Sequence, residues 1–145
     1  MEKMTKEKAL AGFGGGIDCS QAVLSHAAPK VGLDEEIGAK LGAAFGGGLW
    51  RGETCGCVAG AMMALGLKYG NSKPNQGEVK EKFLAKKAEF EEKFIAEHKT
   101  LICNELLNHD ISKPGELEKI MEEGLFEKVC AGLVCSTCRI LDEML

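Results

Sequence analysis

The sequence predicts an all-α protein, and three observations carry that expectation. Strand signals are nearly missing: no alternating Val/Ile/Thr/Tyr run occurs, and the chain holds one Tyr and one Trp. Apolar residues recur at helical spacings, as Val79, Phe83, Phe90, Phe94 and Leu101 do. Glycine clusters and capping residues cut that pattern into helix-sized pieces. The expected architecture is a single domain over 1–145, a bundle of about six to seven helices around a buried central apolar helix at 55–69. A chain of 145 residues buries roughly two-thirds of its unfolded surface, enough for a core without staples.

The elements follow in order. Residues 4–13 read as a short helix stopped by Gly14-Gly15-Gly16. Asp18 suits the cap of a second, from Cys19 to Ala28, ended by Pro29 and Gly32. Asp34-Glu35-Glu36 place acids at the start of a third, which is expected to run to Phe45 before Gly46-Gly47-Gly48. Thr54 is the expected cap of the fourth, Cys55 to Tyr69, closed by Gly70. Val58, Ala59, Ala61, Met62, Met63, Ala64, Leu65 and Leu67 leave it no polar face, the pattern of a helix buried on all sides. The longest segment spans 76–102, with Lys86, Lys87, Glu91, Glu92 and Lys93 as its solvated surface. A short helix over 104–108, one over 114–123 with Pro114 in its first turn, and one from Phe126 to Leu145 complete the chain.

Composition narrows the function. Net charge is −4 with acids and bases mixed along the chain, so no basic footprint for nucleic acid or an anionic membrane exists. Thr54 to Leu67, the longest uncharged stretch in the central region, is too short to span a bilayer, and no membrane insertion is expected. MEKMTKEKALAGF is charged and lacks the apolar region of a secretory signal, which sets the expectation of a cytoplasmic protein with reduced thiols. Seven cysteines are many for such a chain, and in a reducing compartment they point to metal or redox chemistry rather than a disulfide scaffold.

An internal echo directs attention to two of them. AGFGGGIDCSQAVLSHA (11–27) and AAFGGGLWRGETCGCVAGAMMA (43–64) share one plan: Phe, three glycines, a short loop, then a cysteine opening an alanine-rich helix. A cysteine in a first helical turn lies in the positive end of the dipole, which favours thiolate, both nucleophile and metal ligand. Gly-rich loops can also nest anionic centres with their free N–H groups, or merely terminate helices. Neither loop is a nucleotide motif, since no strand precedes it and no GxGxxG or GxxxxGK[ST] is present.

The other cysteines divide less cleanly. Cys55 and Cys57 lie about 200° apart on a regular helix, so both reach one metal only if Cys55 precedes the helix proper; otherwise Cys57 is core filling. Cys130, Cys135 and Cys138 have the C-x4-C-x2-C spacing of plant-type [2Fe–2S] ferredoxins, without the fourth cysteine and in a helical stretch. On one helix over 129–145, Cys130 falls mid-arc on the apolar face, Cys138 at its edge and Cys135 outside. Cys135 and Cys138 could still hold a metal or oxidise reversibly as a pair. His26 shares a helical face with Cys19 but reads better as a satisfied buried histidine; His98 and His109 receive no role.

DCSQAVL (18–24), FGGGLWRGETCGCVAGAMMALGLKYG (45–70), CNELL (103–107) and GLFEKVC (124–130) together resemble the C_GCAxxG_C_C family, described as redox-active. The resemblance covers nearly the whole chain. It implies that the four characteristic cysteines are Cys19, Cys55, Cys103 and Cys130, with Cys57 standing where the family typically has Ala. It also implies a prosthetic group, an iron–sulfur cluster being the one suspected, and a setting near transporters or oxidoreductases. The expectation is therefore an electron-transfer or accessory redox protein rather than a stand-alone enzyme. Cys19, Cys55, Cys103 and Cys130 would hold the cluster, Gly46, Gly47, Gly48 and Gly56 would let N–H groups approach it, and Cys57, Cys135 and Cys138 form a second tier. A partner oxidoreductase or other electron donor or acceptor, and a homo-oligomer, fit that role. The alternatives are a thiol–disulfide protein using Cys19/Cys55 or Cys135/Cys138, a structural zinc protein, or a helical domain with inert cysteines and no cofactor.

Overall fold

Capping side chains set the first three helix starts in the computed structural model, which describes residues 2–145. Thr5 opens α1 (Lys6–Gly14) by accepting the Lys8 amide at 3.2 Å. Asp18 holds the N-cap position of α2 (Cys19–Ala27), where the Gln21 side chain reaches back to accept the Asp18 amide at 2.9 Å. A tight 3-10 turn over Ala28–Val31 follows. Asp34 caps α3 (Glu35–Leu41) by accepting the Ile37 amide at 3.1 Å. The remaining helices are α4 (Gly56–Tyr69), α5 (Gly77–His98), α6 (Cys103–Leu107), α7 (Glu116–Glu122) and α8 (Ala131–Met144). The protein is all-α, as the sequence predicts, and the described residues contain no strand beyond one isolated bridge.

Several boundaries differ from expectation for local reasons. Helix α3 stops at Leu41 rather than Phe45, where the Ser20 hydroxyl donates to the Gly42 carbonyl at 2.7 Å and takes over helix-end pairing. Cys55, not Thr54, is the N-cap of α4, because Thr54 is engaged in the bridge with Ile102. Helix α5 ends at His98, turned out by Lys99 at φ 73°, so Leu101 leaves its apolar stripe. Pro114 precedes α7, whose cap is Gly115. A π turn over Phe126–Cys130 leads into α8, and the register it sets carries Cys138 to full burial instead of the edge of the apolar arc.

Helices α2, α4, α5 and α8 enclose the main core, with Val23, Leu24, Leu65, Phe90, Phe94 and Leu141 fully buried. Ser20 of α2 comes so near α4 that a Cβ on Gly60 would lie 2.9 Å from its carbonyl oxygen. Helix α4 is buried at most positions from Gly56 to Leu65; Met62 and Met63 are half-buried, and Leu67 is 51% exposed, so burial on all sides stops short of its last turn. A satellite core of Cys103, Leu107, Ile111 and Ile120 lies under α6 and α7. No helix among the described residues is long and apolar enough to cross a membrane.

Candidate functional site

The seam between the two cores holds a cavity of about 580 Å³. Cys19, Cys55, Cys103 and Cys130 all stand on its wall. Cys19 and Cys55 pack with the main core, Cys103 and Cys130 with the satellite. Each arrives by a different local device. Cys19 is the first residue of α2, Cys103 the first of α6, and Cys130 the last of the π turn. Cys55, with ψ 136°, sits just before α4 and is tied to the segment of Cys103 by two backbone bonds. Its amide donates to the Leu101 carbonyl at 2.8 Å, and the Cys103 amide donates to the Glu53 carbonyl at 2.7 Å.

Glycine shapes the wall. Gly14, Gly47 and Gly56 line the cavity, whereas Gly46 abuts the Asp18 side chain and Gly48 packs against the Glu53 backbone, both off the wall. A Cβ on Gly56 would stand 2.6 Å from the Cys19 sulfur and 2.8 Å from the Phe45 carbonyl oxygen, so only glycine fits there. Four successive residues, Gly47 to Trp50, have φ between 54° and 61°, a left-handed turn in which Leu49 and Trp50 are strained. The turn brings Trp50 to the cavity, where its ring meets Phe126 edge-on, centroids 6.4 Å apart.

Because Cys55 precedes the helix proper, its sulfur and that of Cys57 meet rather than diverge. The Cys19 and Cys57 thiols adjoin the Cys55 sulfur as hydrogen-bond donors, and together with the Cys57 amide they hold Cys55 well below the usual thiol pKa of 9.0 despite burial. Of the three, Cys55 is the one held toward the thiolate form. Its charge has the opposite effect on its donors: hydrogen bonding to Cys55 pushes Cys19 up to about 12, although the Gly47 amide turned toward it works the other way. Cys57, bonded to Cys19 and Cys55 and fully buried, is raised as well. The helix dipole at Cys19 is thus outweighed by its neighbour, and of the two cysteines that follow glycine loops only Cys55 is shifted toward thiolate. Burial pushes Cys103 up to about 12 and raises Cys130.

The remaining sequence candidates lie elsewhere. Cys57 sits behind the wall as a support for Cys55, more than the core filling expected of it. Cys135 and Cys138 do not line the cavity, and all seven cysteines are free. His26 is satisfied by Asp142 at 2.9 Å and is nearly buried. Among the described residues no three His, Cys, Asp or Glu side chains converge as a ready-made metal-ion site. Sequence reasoning missed the apolar wall residues Trp50, Phe126, Leu117 and Met121, and the two carboxylates Asp18 and Glu127. The LeuTrp following three glycines was the one signal of an exposed aromatic at a loop.

The family model described as "Putative redox-active protein (C_GCAxxG_C_C)" matches residues 17–144. The chain belongs to the C_GCAxxG_C_C family. That match includes every cysteine on the cavity wall. No curated protein and no solved structure matched the chain.

Proposed function

We propose that this C_GCAxxG_C_C protein is a redox carrier that holds an iron–sulfur cluster between Cys19, Cys55, Cys103 and Cys130 and exchanges electrons with a partner oxidoreductase. The observation that carries the reading is the shared cavity wall of these four cysteines, from which Cys57, Cys135 and Cys138 are missing. The donor set fits the group, since iron–sulfur clusters take cysteine thiolates and Cys55 is already held toward that form. When bound, a cluster would supply one-electron transfer. The chain's own part is to hold the Cys55 thiolate, to leave room at Gly56 beside the Cys19 sulfur, and to exclude water with an apolar wall, which tunes potential. A cytoplasmic setting and a homo-oligomer accompany this reading, and a substrate-converting activity of its own does not.

The test is the colour, absorbance, iron and sulfide content of anaerobically purified protein. Visible absorbance with iron and sulfide is the expected result, lost in Cys55→Ser. Protein that stays colourless and iron-free after reconstitution overturns the cluster.

One observation favours a second reading, thiol–disulfide exchange: the Cys19 and Cys57 thiols adjoin the Cys55 sulfur. There, the Cys55 thiolate and the Cys19 thiol would form one S–S bond, passing two electrons and the Cys19 proton to an oxidised partner disulfide, which takes its second proton from solvent. Iron-free protein that reversibly loses two titratable thiols on oxidation would favour it.

A further inference from the structure

The cavity has two unlike ends. Cys55 and Cys103 are 4% and 6% exposed, so the sulfurs mark its floor. The mouth is formed by side chains that no core covers: Leu10 of α1, Trp50 of the left-handed turn, and Leu117 and Met121 of α7, the last 63% exposed. Large apolar side chains gathered at the rim of one cavity are the mark of a ligand site rather than of scattered surface residues. The whole space, about 580 Å³, is of the size that takes a drug-sized molecule, typically about 300–1,000 Å³.

Chemistry narrows the occupant. Asp18 and Glu127 are the charged residues lining the cavity; no Lys, Arg or His among the described residues does so. Beside those two carboxyl groups, and with no cation on the wall, an anion would enter without any counter-charge. Trp50 and Phe126, in edge-to-face contact on the wall, offer ring surface against which a further aromatic group packs well. We infer that the outer half of the cavity binds an apolar aromatic small molecule without negative charge, brought within reach of the sulfur floor. This deepens the reading of the cavity as the redox site by naming the class of molecule that enters it, and it holds whether or not iron occupies the floor.

The experiment uses the full-length protein, as isolated anaerobically, titrated with N-phenyl-1-naphthylamine, a neutral ring compound that fluoresces in apolar surroundings. The anionic 8-anilinonaphthalene-1-sulfonate is titrated in parallel. The expected result is one saturable site for the neutral probe, at least tenfold tighter than for the anion. Leu117→Glu and Met121→Glu, on exposed rim positions that the fold tolerates, should each weaken it at least tenfold with unchanged urea midpoints. Leu84→Glu, exposed on α5 away from the cavity, should leave it unchanged. Saturating probe should also slow alkylation of Cys55. Failure of the neutral probe to bind, equal binding of the anion, or full binding by both rim variants overturns the inference. Iron and sulfide are assayed on the same sample, so the two readings fail separately. Iron-free protein that binds the probe sinks the cluster alone, and iron-loaded protein that does not bind it sinks the aromatic site alone.

Discussion

Cys55 and Cys103 flank a single antiparallel bridge between Thr54 and Ile102, each amide bonded to a carbonyl of the other's segment. The bridge therefore fastens a main-core cysteine to a satellite-core cysteine through backbone rather than side chain. Hydrogen exchange should report this. The Cys103 amide is expected to exchange as slowly as the amides in the middle of α4, while the α7 amides, over a small core, exchange sooner. Exchange of Cys103 as fast as α7 would mean that the bridge opens with the satellite.

Cys57 is expected to matter more than a buried filler would. Cys57→Ala removes one donor to the Cys55 thiolate, so the pH midpoint of Cys55 alkylation should rise and labelling at pH 7 should slow severalfold. Cys57→Ser, which keeps a donor, should recover part of the rate. Mass-spectrometric mapping of iodoacetamide adducts follows both; an unshifted profile in Cys57→Ala would remove the support assigned to it.

Buried thiols with raised pKa make the fold sensitive to alkali. Cys103 keeps its proton to about 12 in the folded state, whereas the unfolded chain releases it near the ordinary 9.0. The stability it contributes is complete below that lower value and is lost as pH rises toward 12, at about 1.4 kcal/mol per pH unit. Urea midpoints of reduced, iron-free protein should fall from pH 8 to pH 10, and fall less in Cys103→Ala. Parallel loss in both proteins would contradict the assignment.

Gly56→Ala puts a methyl group against the Cys19 sulfur and the Phe45 carbonyl. Overpacking of this kind costs about 1–3 kcal/mol, more than alanine's helix preference returns. Urea denaturation should show the loss, together with altered Cys19 labelling. A variant as stable as the parent would place these groups further apart than they are here.

Leu49 and Leu84 are equally exposed but differ in backbone, so they form a matched pair. Leu49 is left-handed at φ 61°, a conformation that costs a side-chain-bearing residue about 1–2 kcal/mol. Leu49→Gly should leave stability unchanged or raise it by up to about 1 kcal/mol, after the entropic cost of glycine. Leu84→Gly, inside α5, should lower it by about 1 kcal/mol. Equal losses measured in urea would argue against the left-handed turn.

Helices were legible because their signals are local: Asp34 before two acids, the 4-and-7 spacing of Phe83, Phe90 and Phe94, and glycine stops. Cys19 and Cys55 stood out through the repeated glycine loops, but Cys103 and Cys130 joined them only by family resemblance, since tertiary contacts leave no spacing in sequence. What stayed hidden depends on partners far along the chain. Thr54 looks like a cap until the bridge to Ile102, closed by the bonds of Cys55 and Cys103 on either side, holds it extended, and that one-residue shift is what turns Cys57 toward Cys55. The strained Leu49-Trp50 pair runs against local preference, so propensity reasoning could not anticipate it.

Trp50 is the chain's single tryptophan, and it stands at the mouth of the cavity, 43% exposed and edge-on to Phe126. The protein thereby carries its own spectroscopic gauge. All indole emission arises from one position, at the mouth of the cavity whose wall holds the four sulfurs, with no background from elsewhere. Solvent contact should give it a red-shifted maximum open to collisional quenchers, and anything that fills the mouth should move that maximum to the blue and shield it. Occupancy could thus be followed in dilute solution, without a label, in the native sequence.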